Sequence, residues 1–187
     1  MNIFKRSTTL RLFLIFTSLI LLTSSCDKIK ELLTVSISTT IEGNIPLHGN
    51  IPLNSNLEIT KVSVINYDIN HDISIVDNPD IKPYLNKIKE INIQSVQITF
   101  EGLQPEQAID FISIDAIGVG TLISLTNVTM SNNQFSPIVS NELLKSVSNK
   151  LLNNNSITIN LKGGANSAIN VNVELKMNVN IKAQALD

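Results

Sequence analysis

The sequence predicts a mainly β fold: an antiparallel β-sandwich of Ig-like or related type, or a partly open barrel, with two short helices. Three observations predict it. Apolar and polar residues alternate strictly from Ile169 to Ile181, the period of a strand with one buried and one wet face. The same alternation returns in shorter segments separated by turn residues. Isoleucine, stiff at χ1 and suited to a pleated half-buried surface, fills many of the apolar positions. No strand–helix–strand rhythm marks a parallel sheet.

The elements follow in chain order. Leu33, Val35, Ile37, Thr39 and Ile41 predict the first strand. Gly43-Asn44-Ile45-Pro46-Leu47 then recurs as Gly49-Asn50-Ile51-Pro52-Leu53. Each proline removes a backbone donor and biases its neighbour to an extended form, so an extended edge or loop is expected. Ile59 to Val76 alternates with a phase change at Val64-Ile65. That pattern fits one bulged strand, or a hairpin turning at Asn70-His71-Asp72. Asp80 is placed to cap a helix carrying Ile81, Tyr84, Leu85 and Ile88, with Pro83 tolerated in its first turn.

Ile91 to Phe100 is a strand with a second phase change, followed by strands at Ile109–Ile117 and Thr121–Met130. Gly118-Val119-Gly120 lacks the third glycine of a dinucleotide fingerprint and reads as a bend. Ser140 caps a second helix with Leu143, Leu144, Val147 and Leu151 inward, ended by Asn153-Asn154-Asn155. Ser156–Leu161 meets Gly163-Gly164, a turn signal, ahead of the last strand. Those two strands are expected to form an antiparallel hairpin. The last strand would run roughly 40 Å, long enough to bend or to serve two sheets.

Composition narrows the function classes. The formal net charge is −2, and no basic stripe with interleaved aromatics is present, so neither nucleic acid nor electrostatic docking on anionic lipid is expected. No cofactor motif occurs, nor a G-x-S-x-G, an H-E-x-x-H or a phosphate-binding glycine loop. The only histidines, His48 and His71, read as structural or solvated. A hydrolase would need one of them in a cleft beside a carboxylate and a nucleophile. Asp68-Ile69-Asn70-His71-Asp72 matches the first half of a calcium loop, so Asp68, Asn70 and Asp72 are the metal candidates. The match then fails, because Ile73 stands where the loop needs glycine. Acidic turn residues are the plainer expectation, and no metal site is expected.

The N-terminus carries the most specific signal. Lys5 and Arg6 precede an apolar run, Leu12 to Leu22, too short to span a bilayer comfortably. Leu21-Leu22-Thr23-Ser24-Ser25-Cys26 follows, then Asp27 and Lys28. Cys26 is the only cysteine. These residues resemble the signal of bacterial lipoproteins. The family pattern prefers leucine three residues before the cysteine, where this chain has Thr23.

The resemblance covers residues 1–28 and implies cleavage before Cys26 and acylation of its thiol. Three acyl chains, palmitate among them, would hold the protein permanently, since one chain binds only marginally. The implied organisation is a signal peptide over 1–25, a lipidated tether over 26–32 and one β-sandwich domain over 33–187. The expected location is the cell envelope, facing periplasm or exterior. The outer membrane is favoured over the inner, although Asp27 matches an inner-membrane retention rule of some bacteria. The expected role is non-enzymatic: binding or scaffolding, with the membrane and an envelope protein as partners. The alternative is a carrier of lipid or another apolar ligand in a β cavity.

Overall fold

The computed structural model describes residues 33–49 and 65–185. Cys26 and the second copy of the Gly-Asn-Ile-Pro-Leu repeat lie outside them. Contacts divide the chain into two units. In the smaller, the described residues are 33–35 and 184–185, where the Ala185 N–H donates to the Leu33 carbonyl at 2.6 Å. The larger, Ser36–Ala183, holds the body of the fold.

Two antiparallel four-stranded sheets pack as a β-sandwich. The first has the order β1-β8-β3-β6 and the second β2-β7-β4-β5. The strands are β1 (Thr34–Gly49), β2 (Ile65–Ser74), β3 (Ile88–Glu101), β4 (Ala108–Ala116), β5 (Gly120–Thr129), β6 (Gln134–Phe135), β7 (Ser156–Ala165) and β8 (Ile169–Gln184). One apolar core contains residues of both sheets, with Phe100, Ile45, Ile98, Ile109, Leu161 and Val173 fully buried in it. Burying such a side chain stabilises by roughly 1.5–3 kcal/mol. The Phe135 ring on the two-residue β6 meets Phe100 edge-on at 6.0 Å, the arrangement that aromatic quadrupoles favour.

The long final strand buries Ile169, Val171, Val173, Leu175, Met177, Val179, Ile181 and Ala183, as the alternation requires. It serves one sheet only, pairing with β3 along its length. β3 carries the bulge that its phase change predicts, between Ile93 and Ser95.

Three expectations are corrected and one, the third below, is narrowed. First, Gly163-Gly164 is not a turn. β7 runs through both glycines to Ala165, and the chain then crosses to the other sheet, so β7 and β8 form an arch and not a hairpin. The arch is held by Asn166, whose N–H donates to the Ala108 carbonyl at 3.0 Å while its Oδ1 accepts from Ala108 N–H at 2.9 Å. Second, Asn70-His71-Asp72 lies inside β2, opposite Asn160, Ile159 and Thr158 of β7. Third, of the extended edge or loop expected at Gly43–Leu47 the structure shows the edge: it belongs to β1, which continues beyond Ile41 through Pro46 and buries Ile45 and Leu47. A proline is admissible there because β1 is an edge strand.

Fourth, the expected helix after Asp80 is a 3₁₀ helix over Lys82–Lys87, and Ile88 already begins β3. Asp80 does not cap it. Asn78 Oδ1 accepts from the N–H groups of Asp80 and Ile81 instead. The second helix, α1 (Asn141–Asn154), forms as read: Ser140 Oγ accepts from Leu143 N–H at 3.3 Å, and Asn155 closes the helix in the left-handed region at φ 58°. It buries Leu144, Val147, Ser148 and Leu151. Ser148 Oγ accepts from Ile93 N–H at 3.3 Å, so α1 satisfies part of the β3 edge that the short β6 leaves bare.

Candidate functional site

Cys26, the one residue with an assigned chemistry, lies outside the described residues. The other candidates take definite places on the sandwich.

Asp68, Asn70 and Asp72 alternate along the exposed outer face of β2. Alternate strand residues stand about 7 Å apart, so the three project side by side and do not wrap one ion as a calcium loop does. β7 supplies their partners. Asn160 Nδ2 donates to Asp68 Oδ1 at 2.6 Å and to Asn70 Oδ1 at 2.8 Å. Thr158 Oγ1 donates to Asp72 Oδ1 at 2.5 Å. Among the described residues, no three histidine, cysteine or carboxylate side chains converge to hold a metal ion. Asn160 is buried, and its Oδ1 has no protein partner. Sequence reasoning missed Asn160. Only its alternation with Ile159 and Leu161 marked it as outward-facing.

His48 is exposed near the end of β1, and His71 is half-buried on β2 between Ile69 and Ile73. The structure thus places the two histidines on separate strands of separate sheets. Tyr67 has the most perturbed ionisation. Burial, with a smaller contribution from the Asp110 carboxylate, pushes its phenol well above the ordinary value. Its hydroxyl reaches the Phe111 carbonyl at 3.4 Å. A neutral, buried phenol bonded to a backbone carbonyl is a packing group.

Two clefts are formed by described residues. One, of about 530 Å³, lies between β1 and the turn after β2, lined by Thr39, Glu42, Ser74, Asp77, Asn78 and Asp80 among others. Asn78 Nδ2 donates to the Thr40 carbonyl at 2.9 Å and Thr39 Oγ1 to Asp80 Oδ2 at 2.6 Å, so its polar groups largely satisfy one another. The other, of about 410 Å³, runs between β3 and α1, lined by Glu90, Asn92, Ile93, Asn141, Lys145 and Ser148 among others. Both are open grooves whose walls mix polar and apolar groups. Among the described residues, no helix is long and apolar enough to cross a membrane.

Comparison with protein-family models and with curated proteins finds no match. Solved structures of viral capsids are similar in part. The 60-mer BFDV capsid protein aligns at 9% identity and a TM-score of 0.43, over 83% of this chain and 97% of that one. The decameric BFDV capsid protein aligns at 11% and 0.41, over 81% and 99%. Desmodium yellow mottle tymovirus aligns at 9% and 0.34, over 81% and 85%. At such identities and scores, nothing about those capsids carries over to this chain.

Proposed function

We propose that the chain is a lipid-anchored cell-envelope protein that acts by binding or scaffolding and not by catalysis. The observation that carries this reading is Cys26: the only cysteine, directly after a basic n-region, a short apolar run and small residues. A lone thiol without a disulfide partner suits acylation better than any other use in an oxidising compartment. A β-sandwich with wet outer faces supports a role in which surfaces meet partners.

The test is Cys26→Ser in cells fed a labelled fatty acid. The natural chain should take up label and sediment with membranes, and the Cys26→Ser chain should do neither. Label-free natural protein, or a variant that stays in the membrane fraction, would refute the anchor and point to an uncleaved apolar helix.

A further inference from the structure

We infer that two copies of this chain pair edge to edge through β5, antiparallel about a two-fold axis at Ser124 or Leu125, which joins their second sheets into one. The inference is independent of the anchor at Cys26. It names one partner of the sandwich, its own copy.

Backbone accounting selects the edge. The two sheets end in four edge strands, β1, β6, β2 and β5. β5 pairs with β4 along one side. On the other side, among the described residues, no strand or loop bonds its N–H and C=O groups short of the turn from Thr129 to Asn132. Such a row of open backbone groups is a template for another strand.

Side chains separate β5 from the other three edges. β6 is only two residues long. β1 carries Glu42 and Pro46, and a proline withholds a donor. β2 sets Asp68 and Asp72 outward on either side of Asn70, so antiparallel copies paired there would face aspartate with aspartate. Gly120–Thr129 has neither charge nor proline. Its register shifts between Thr121 and Ile123, and Asn127 is left-handed at φ 53°. Between those irregularities Ile123–Thr126 is a straight run that a second strand can follow. Ser124 is exposed and Leu125 half-buried, so like faces meet only when the axis passes through a residue and not between two.

Exposed apolar side chains gather at the same edge. Of the five large ones among the described residues, three border β5. Phe111 stands on β4 opposite Thr126, Ile117 lies in the loop that leads into β5, and Met130 follows its last residue. An antiparallel two-fold lays the end of one β5 against the start of the other, which brings Met130 of one copy to Ile117 of the other. Interface cores favour aromatic residues and methionine and are poor in charge. The carboxylates of Asp110 and Asp115 lie one strand back, on β4. Those of the two copies are therefore three strand spacings apart, about 14 Å, beyond the screening length of about 8 Å at physiological salt. Lys150 bonds the Ile117 carbonyl, so the two copies of this lysine fall at opposite ends of the pair. Each copy offers one β5, and the assembly closes at two.

The full chain, purified in mild detergent, is weighed by light scattering at about 0.1 mM, since pairing depends on concentration. It should have twice the chain mass and fall to half of that on dilution. Ser124→Lys with Thr126→Lys sets like charges against one another across the axis. That chain should stay monomeric with an unchanged circular dichroism spectrum, because both positions are exposed. Ser124→Thr should pair as the natural chain does. In a Cys26→Ser background, which leaves no other thiol, a short bismaleimide should join Ser124→Cys to its copy and should not join Asn66→Cys on β2. A dimer that survives the two lysines, or that is joined at Asn66→Cys in place of Ser124→Cys, overturns β5 as the edge. A monomeric natural chain overturns the pairing itself. Maleimide labelling of Ser124→Cys then names the other occupant: a blocked thiol means residues of the same chain, and a free one an edge kept for another protein's strand.

Discussion

Replacing Gly163 by alanine puts one methyl group at a place where groups from three strands approach closely. Tyr67 on β2 leans across β7 at Gly163 and brings its hydroxyl to the Phe111 carbonyl on β4. A Cβ at 163 would overlap both that hydroxyl and that carbonyl, and would stand 2.6 Å from Tyr67 Cζ. Gly163 does not have a positive φ, so alanine suits the backbone and the cost is steric. Relief needs movement of the Phe111 backbone as well as the Tyr67 ring. Overpacking of this kind costs about 1–3 kcal/mol, and losing the tyrosine hydrogen bond adds about 0.5–1.5 kcal/mol. Stiffening the unfolded chain returns about 0.4–1 kcal/mol. The expected net loss is about 2–3 kcal/mol, or roughly 4–12 °C in Tm for a chain of this size. Urea and thermal unfolding followed by circular dichroism would read it. Combining Gly163→Ala with Tyr67→Leu should recover part of the loss, a coupling of about 1 kcal/mol. Gly43→Ala is the comparison: the nearest atoms to its Cβ belong to the Ile73 side chain and not to backbone, so about 1 kcal/mol, the low end of overpacking, is expected. A Gly163→Ala chain that melts at or above the natural one would refute the close approach.

Asn166→Ala should cost about 1–3 kcal/mol, because it removes the Oδ1 that accepts from the Ala108 N–H and the Nδ2 that donates to the Glu106 carbonyl; an unchanged urea midpoint would count against the arch. Tyr67 gives a pH signature. Burial raises its pKa in the folded state, so above about pH 10 the unfolded chain releases a proton that the folded chain keeps. Stability is full below that pH and falls as pH rises past it. Tyr67→Phe should flatten the fall, as measured by denaturation midpoints between about pH 9 and pH 11. Millimolar calcium should leave Tm unchanged, since Asp68, Asn70 and Asp72 stand in a row along one strand; a saturable rise would show that their carboxylates do bind calcium.

Strands were legible wherever side chains alternate. From Ile169 to Ile181 every inward residue is the one the sequence marks, because a one-residue slip would expose them all. The misreadings share one cause. Gly163-Gly164 and Asn70-His71-Asp72 are residue types that punctuate chains, and each sits inside a strand. Gly163 makes room for Tyr67, and the polar triplet faces outward against Thr158 and Asn160. Local chemistry alone does not separate such uses from turns, since neighbours far away in sequence decide them. The same holds for the grooves: Thr39 and Asp80 meet only because β1 and the turn after β2 are brought together.

The last strand lies between β1 and β3 in its sheet. Neither of those strands has its main pairing until β8 is available, so the first sheet cannot assemble from the N-terminus as the chain emerges from the ribosome. Its formation waits on the final sixteen-residue strand and must close loops of more than a hundred residues between β1 and β8. Such topologies fold slowly. With this strand order the first sheet forms only once β8 has been made, and deleting β8 would remove two interfaces at once instead of trimming one edge.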